Sequence, residues 1–174
     1  MRILLSVALT LPTLAWAVGG DWEDTPPPKP AVTCPGSQVY DEQTNKCVDP
    51  EQSGLDRDTL YRTVRQLAYA GRYRDAQRVM AALPAQDQGR LTYMGFTHRK
   101  LGNVAQAASY YQQAIAQDPA NILARSYMGQ GFVAEGRLDE ALDQLLEIRS
   151  HGGTGTWAET SLRRAIATGT TYDD

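Results

Sequence analysis

Gln88-Gly89-Arg90-Leu91-Thr92-Tyr93-Met94-Gly95, with Gly102, Ala107, Tyr111, Ala114 and Pro119 behind it, decides the fold of this 174-residue chain. Tyr93-Met94-Gly95 returns 34 residues later as Tyr127-Met128-Gly129. The register then holds: Gly102 with Gly136, Ala107 with Ala141, Tyr111 with Leu145, Ala114 with Ile148. A fixed period of this length marks one supersecondary unit stacked on copies of itself, since a single unit cannot bury its own apolar face.

Within the unit Gln88 to Asn121, the apolar positions Leu91, Met94, Gly95 and Leu101 predict an amphipathic helix over Arg90 to Leu101. Gly102 is placed to end it, because glycine adopts the left-handed backbone of a helix end without a Cβ clash. Asn103 and Gln106 have the spacing of a reciprocal cap for a second helix. That helix is expected to bury Val104, Ala107, Ala108, Tyr111, Ala114 and Ile115, and to stop at Asp118-Pro119, where proline disfavours helical geometry. Gly95 and Ala107 lack bulk, which lets the two helices approach at the short end of the usual ~8–10 Å.

These residues resemble the tetratricopeptide repeat, whose pattern runs Trp-x2-Leu-Gly-x2-Tyr, then Gly, Ala, Phe or Tyr, Ala and Pro. Leu91, Met94, Gly95, His98, Gly102, Ala107, Tyr111, Ala114 and Pro119 stand on those places. The next copy supplies Arg125, Met128, Gly129, Phe132, Gly136, Ala141, Leu145, Ile148 and Gly153. Leu91 and Arg125 replace the tryptophan, His98 the tyrosine and Gly153 the proline. An earlier copy shows through Leu60, Leu67, Gly71, Ala76, Met80 and Leu83, its glycine 31 residues before Gly102, so three residues are missing near Pro84. The resemblance spans Leu55 to Ser150. It implies an all-α, right-handed α-solenoid of three helix pairs over residues 55–150. A capping helix is expected in 151–174, because Thr156 and Glu159 form a capping box and Trp157, Leu162, Ala165 and Ile166 an apolar stripe ending near Thr168. Thr170 to Asp174 is expected to fray.

Residues 1–17 read as a secretory signal: Arg2, an apolar run from Ile3 to Leu14, and the small-x-small site Ala15-Trp16-Ala17. The run is shorter than the ~20 apolar residues of a membrane span, so no stable insertion of the mature chain is expected. Residues 18–33 form a Pro-rich linker around Pro26-Pro27-Pro28. Cys34 and Cys47 frame residues 34–48, where Val39-Tyr40 and Cys47-Val48 read as short strands around a polar turn. A module so small needs a staple, and export permits a disulfide. The spacing excludes a Cys-x-x-Cys redox pair, and zinc lacks a second ligand pair. Residues 49–54 link hairpin to repeats, with Ser53 as a candidate cap and Asp56 in the first turn of the first helix. The Cys-Pro-Gly-x-x-Val-Tyr-Asp to Cys-Val segment is similar to a disulfide hairpin that precedes the repeats of some exported alphaproteobacterial tetratricopeptide proteins, and more faintly to part of the chitin-binding peritrophin motif.

Charge excludes one class of partner. Residues 18–54 hold seven acids against two lysines, while 57–87 carry six arginines against Asp58, Asp75 and Asp87. No sustained basic run exists, so nucleic acid is not an expected partner. Tetratricopeptide arrays bind peptides on the concave face lined by the first helix of each repeat. By that resemblance the groove comprises Tyr61, Arg65 and Ala68; Thr92, Phe96 and Arg99; and Ser126, Gln130 and Val133, with Phe96 exposed as an anchor. Arg65 and Thr92 stand where a chaperone-type carboxylate clamp has asparagine-type residues. No catalytic, cofactor or metal residue is expected. His98 falls on a packing position, His151 in a glycine-rich turn, and Gly152-Gly153-Thr154-Gly155 lacks the Gly-Lys-Ser/Thr ending of a phosphate loop. The expected function is a non-catalytic periplasmic scaffold or adaptor for a protein or peptide partner. The alternative is a cell-wall or glycan-binding accessory that reads its target through the Cys34–Cys47 hairpin.

Overall fold

Two kinds of junction alternate along the chain and set where each helix begins. The structure is a computed structural model and describes residues 32–172. The signal segment, nearly all of the Pro-rich linker, and Asp173 and Asp174 lie outside the described residues. Two strands, β1 (Val39–Asp41) and β2 (Lys46–Val48), come first. Seven helices follow: α1 (Arg57–Tyr69), α2 (Tyr73–Ala81), α3 (Gln88–Lys100), α4 (Val104–Gln117), α5 (Ile122–Ala134), α6 (Leu138–Ser150) and α7 (Trp157–Thr168).

Inside each pair the junction is a glycine turn. Gly71, Gly102 and Gly136 hold φ of 73°, 80° and 74°. The next residue then sends its N–H back to a carbonyl five positions earlier: Arg72 to Leu67 at 2.9 Å, Asn103 to His98 at 2.8 Å, Arg137 to Phe132 at 2.8 Å. Each turn thereby closes one helix and launches the next. Between pairs a side chain caps instead. Asp56, Asp87, Asn121 and Thr156 accept the N–H of Thr59, Arg90, Ala124 and Glu159 respectively.

This division overturns two expected caps. Asn103 makes no side-chain cap bond; its amide lies instead 3.3 Å from His98 Nδ1, across the glycine turn. Ser53 does not cap α1; its hydroxyl bonds the Pro50 carbonyl, and Asp56 is the cap rather than a first-turn residue. Thr156 caps as expected, but the Glu159 carboxylate turns to Arg149 at 2.6 Å and not back to the cap.

The helix pairs α1–α2, α3–α4 and α5–α6 stack into a solenoid, and α7 closes it against α5 and α6. The first copy is three residues short because α2 has nine residues against fourteen in α4, while the connector after it, 82–87, is two longer than 118–121. Close approach within α3–α4 rests on Gly95, where a Cβ would meet Tyr111 Cε1 at 2.4 Å. Arg125, in the tryptophan place, is buried and pinned to the Pro119 carbonyl at 2.9 Å and Gln144 Oε1 at 3.3 Å. Gly153 replaces proline where a Cβ would come within 2.6 Å of Ile148 Cγ2. Val104, expected in the core, is exposed at the start of α4. Leu138, Leu142 and Leu146 recur every fourth residue on the outer side of α6 and are also exposed.

The hairpin is continuous with the solenoid. Cys34 and Cys47 are joined, with Cα atoms 5.7 Å apart, and Tyr40 pairs with Cys47 across the strands. Val39 is fully buried within the main core that contains Leu60, Val64 and Leu67. Arg72 donates to the carbonyls of Cys34 and Gly36. The strands therefore cover the open end of the first repeat, as a polar terminal cap must in a stacked array.

Candidate functional site

The first helix of each pair contributes residues four apart to one inner face, because side chains at i and i+4 stand above one another on a helix. Tyr61, Arg65 and Tyr69 come from α1, Thr92 and Phe96 from α3, Ser126 and Gln130 from α5, and Trp157 and Ser161 from α7.

The expected groove residues are brought together, but as a packed seam. Tyr61, Arg65, Ala68, Thr92, Phe96, Ser126, Gln130 and Val133 are all buried. Phe96, expected exposed, is 0% accessible. Its ring lies among those of Tyr69, Tyr73, Tyr93 and Tyr127, at centroid distances from 4.8 Å to Tyr127 up to 6.2 Å to Tyr73. The polar members are spent on joining repeats. Asn121 donates to Thr92 Oγ1 at 3.1 Å and to Gln88 Oε1 at 3.0 Å, tying α5 to α3. Ser126 donates to the Ala158 carbonyl at 2.8 Å, tying α5 to α7. Arg99 is half-buried, with its guanidinium carbon 5.7 Å from the Phe96 ring centroid.

A run of rings forms the floor. Tyr61 meets Tyr93 at 5.7 Å, Tyr93 meets Tyr127 at 5.9 Å, and Tyr127 meets Trp157 at 6.0 Å, each edge to face. The Tyr127 hydroxyl lies 2.5 Å from that of Tyr69 and 3.4 Å from that of Tyr93. Burial pushes the Tyr61, Tyr69 and Tyr127 phenols well above the ordinary range. Burial also pushes Tyr111 up to about 12, against the opposing charge of Arg99. Neutral phenols at working pH can both donate and accept.

The C-terminal segment, expected to fray, crosses this face. Thr171 is buried, and Tyr172 sets its ring 5.4 Å from Tyr69 and 5.0 Å from Trp157, nearly perpendicular to both. The Tyr172 N–H donates to Gln130 Oε1 at 2.9 Å. Gln130, one of the expected groove residues, thus bonds this segment. Tyr69, Trp157 and Ser161 were missed. Tyr61, Tyr93 and Tyr127, spaced near the repeat period, were the available signal for an aromatic floor.

The histidines stand apart. His98 stacks on Tyr110 at 5.5 Å with an interplanar angle of 18°, and desolvation lowers its pKa. Its Nδ1 is 3.3 Å from the Asn103 amide. His151 is exposed, 3.6 Å from Glu147.

No curated protein and no solved structure matches the chain. Residues 98–154, from the end of α3 through α6, match the family model of the tetratricopeptide repeat, and that stretch is similar to the repeat in sequence as well as in its stacked helix pairs.

Proposed function

We propose that the protein is a non-catalytic scaffold of the bacterial periplasm that engages a protein partner through its inner helix face. Tetratricopeptide repeats generally mediate protein–protein interaction, and the family match supports that class for this chain. The observation that carries the finer reading is the seating of an extended segment, Thr171-Tyr172, on the aromatic inner face. Export is supported by the signal-like residues 1–17 and by the Cys34–Cys47 bridge, a bond characteristic of oxidising compartments. No described helix is long and apolar enough to cross a membrane.

The hairpin's burial of Val39 against α1 supports a stabilising role for it ahead of glycan binding. Crosslinking in cells of the native species, followed by identification of what co-purifies, tests the scaffold. A reproducible protein partner is expected; recovery of the protein alone overturns the reading. Fractionation of tagged chains with and without residues 1–17 tests the address, with periplasmic recovery expected only for the chain that carries them.

A further inference from the structure

We propose that the hollow between α1, α5 and α7 is a subsite for an aromatic side chain on an extended peptide, and that Tyr172 is its displaceable resident. The proposal rests on the scaffold reading above and names the ligand chemistry of that face.

The tail is not part of the helix it follows. Gly169, at φ 72°, ends α7 by sending its N–H to the Ala165 carbonyl at 2.8 Å. The residues beyond it are held on the inner face by contacts of the kind a peptide makes. One is main-chain recognition: the Tyr172 N–H on Gln130 Oε1 at 2.9 Å. The other is a ring slot between Tyr69 and Trp157, each T-shaped to the Tyr172 ring.

The acceptor is built before the tail arrives. Gln130 is fully buried, and its Nε2 donates to Ser126 Oγ at 3.3 Å and Ser161 Oγ at 3.1 Å. Ser126 is itself fixed by donating to the Ala158 carbonyl. With both amide hydrogens directed at serines, Oε1 faces the tail and can only accept. It therefore reads a backbone N–H, which any residue but proline offers. Selectivity comes from the slot, where edge-to-face packing favours an aromatic ring. The occupant from a partner is accordingly an extended segment with an aromatic residue whose amide is free, preceded by a small residue, since Thr171 is buried at that place.

A tethered tail competes with any partner at an effective concentration on the order of millimolar. Removing it should uncover the subsite. The probe is a fluorescein-labelled heptapeptide of residues 168–174, Thr-Gly-Thr-Thr-Tyr-Asp-Asp, titrated with the full chain and with a chain ending at Gly169, and read by anisotropy. The shortened chain is expected to bind at least about 10-fold more tightly than the full chain. Peptides carrying alanine or N-methyltyrosine in place of tyrosine should each lose about 10-fold or more, the first by emptying the slot and the second by removing the donor. Tyr172→Ala in the full-length chain repeats the measurement should the shortened chain fail to fold. Equal binding by folded chains with and without the tail ring, or no binding by either, overturns the proposal. If in addition partners crosslink equally to both chains in cells, the subsite fails and the scaffold stands; peptide binding with no partner recovered supports the subsite and counts against the scaffold.

Discussion

Gly95 shows how little freedom a single position has in this stack. A Cβ there meets three atoms of the Tyr111 ring within 2.9 Å, and Tyr111 is a buried ring that cannot swing away. Gly95→Val is expected to destabilise the protein by at least about 1–3 kcal/mol, the usual cost of overpacking, measured by urea unfolding. Ala107, equally buried on the facing helix, obeys the same limit, so Ala107→Trp should unfold the array. Tyr127 is constrained by polarity as well as volume. Its hydroxyl joins those of Tyr69 and Tyr93, and Tyr127→Phe takes one partner from each of those phenols without changing shape. A loss of about 1–3 kcal/mol is expected in the same assay.

At the scale of elements, the informative contact is hairpin on helix. β1 and β2 form a two-stranded sheet, which is marginal in water by itself. Besides the burial of Val39, it is held by the Cys34–Cys47 bridge and by Arg72, which bonds the Cys34 and Gly36 carbonyls while pairing with Asp75 at 3.0 Å. Arg72→Ala should therefore raise hydrogen exchange in β1, β2 and the start of α1 while leaving α5 to α7 unchanged. Uniform protection across the chain would show that the bridge and the buried Val39 suffice without Arg72. The shortened α2 belongs to the same end: a nine-residue second helix presents less surface to its partners than α4 does, and the docked hairpin adds the buried Val39 there.

Across the whole molecule, the tyrosine floor links stability to pH. Tyr61, Tyr69, Tyr111 and Tyr127 all have phenols raised by burial, so the folded chain keeps protons that the unfolded chain releases above about pH 10. Their contribution is present in full below that pH and is lost as pH rises through and beyond it. Stability should be flat in this respect from neutral to about pH 9 and fall steeply above about pH 10, with tyrosinate absorbance at alkaline pH growing in step with unfolding. Free ionisation of all the tyrosines in a still-folded chain would contradict the burial described here.

The repeat period, the glycine turns and the Thr156 helix start are local chemistry, and the amino-acid sequence determined them by itself. So was the disulfide hairpin legible, from two cysteines and the strand–turn pattern between them. Asn103 does not cap because its side chain is engaged across the glycine turn with His98, a contact that the cap spacing does not reveal. What faces what was decided only in three dimensions. Val39 enters the core because α1 leaves an apolar end to cover, and Phe96 is buried because rings from four neighbouring positions converge on it. Thr171 and Tyr172 lie ordered across the inner face because α7 ends where Gln130, Tyr69 and Trp157 stand ready. Periodicity identifies the inner side of a helix, but whether that side is open groove or packed seam depends on the curvature of the whole stack, which no single repeat encodes.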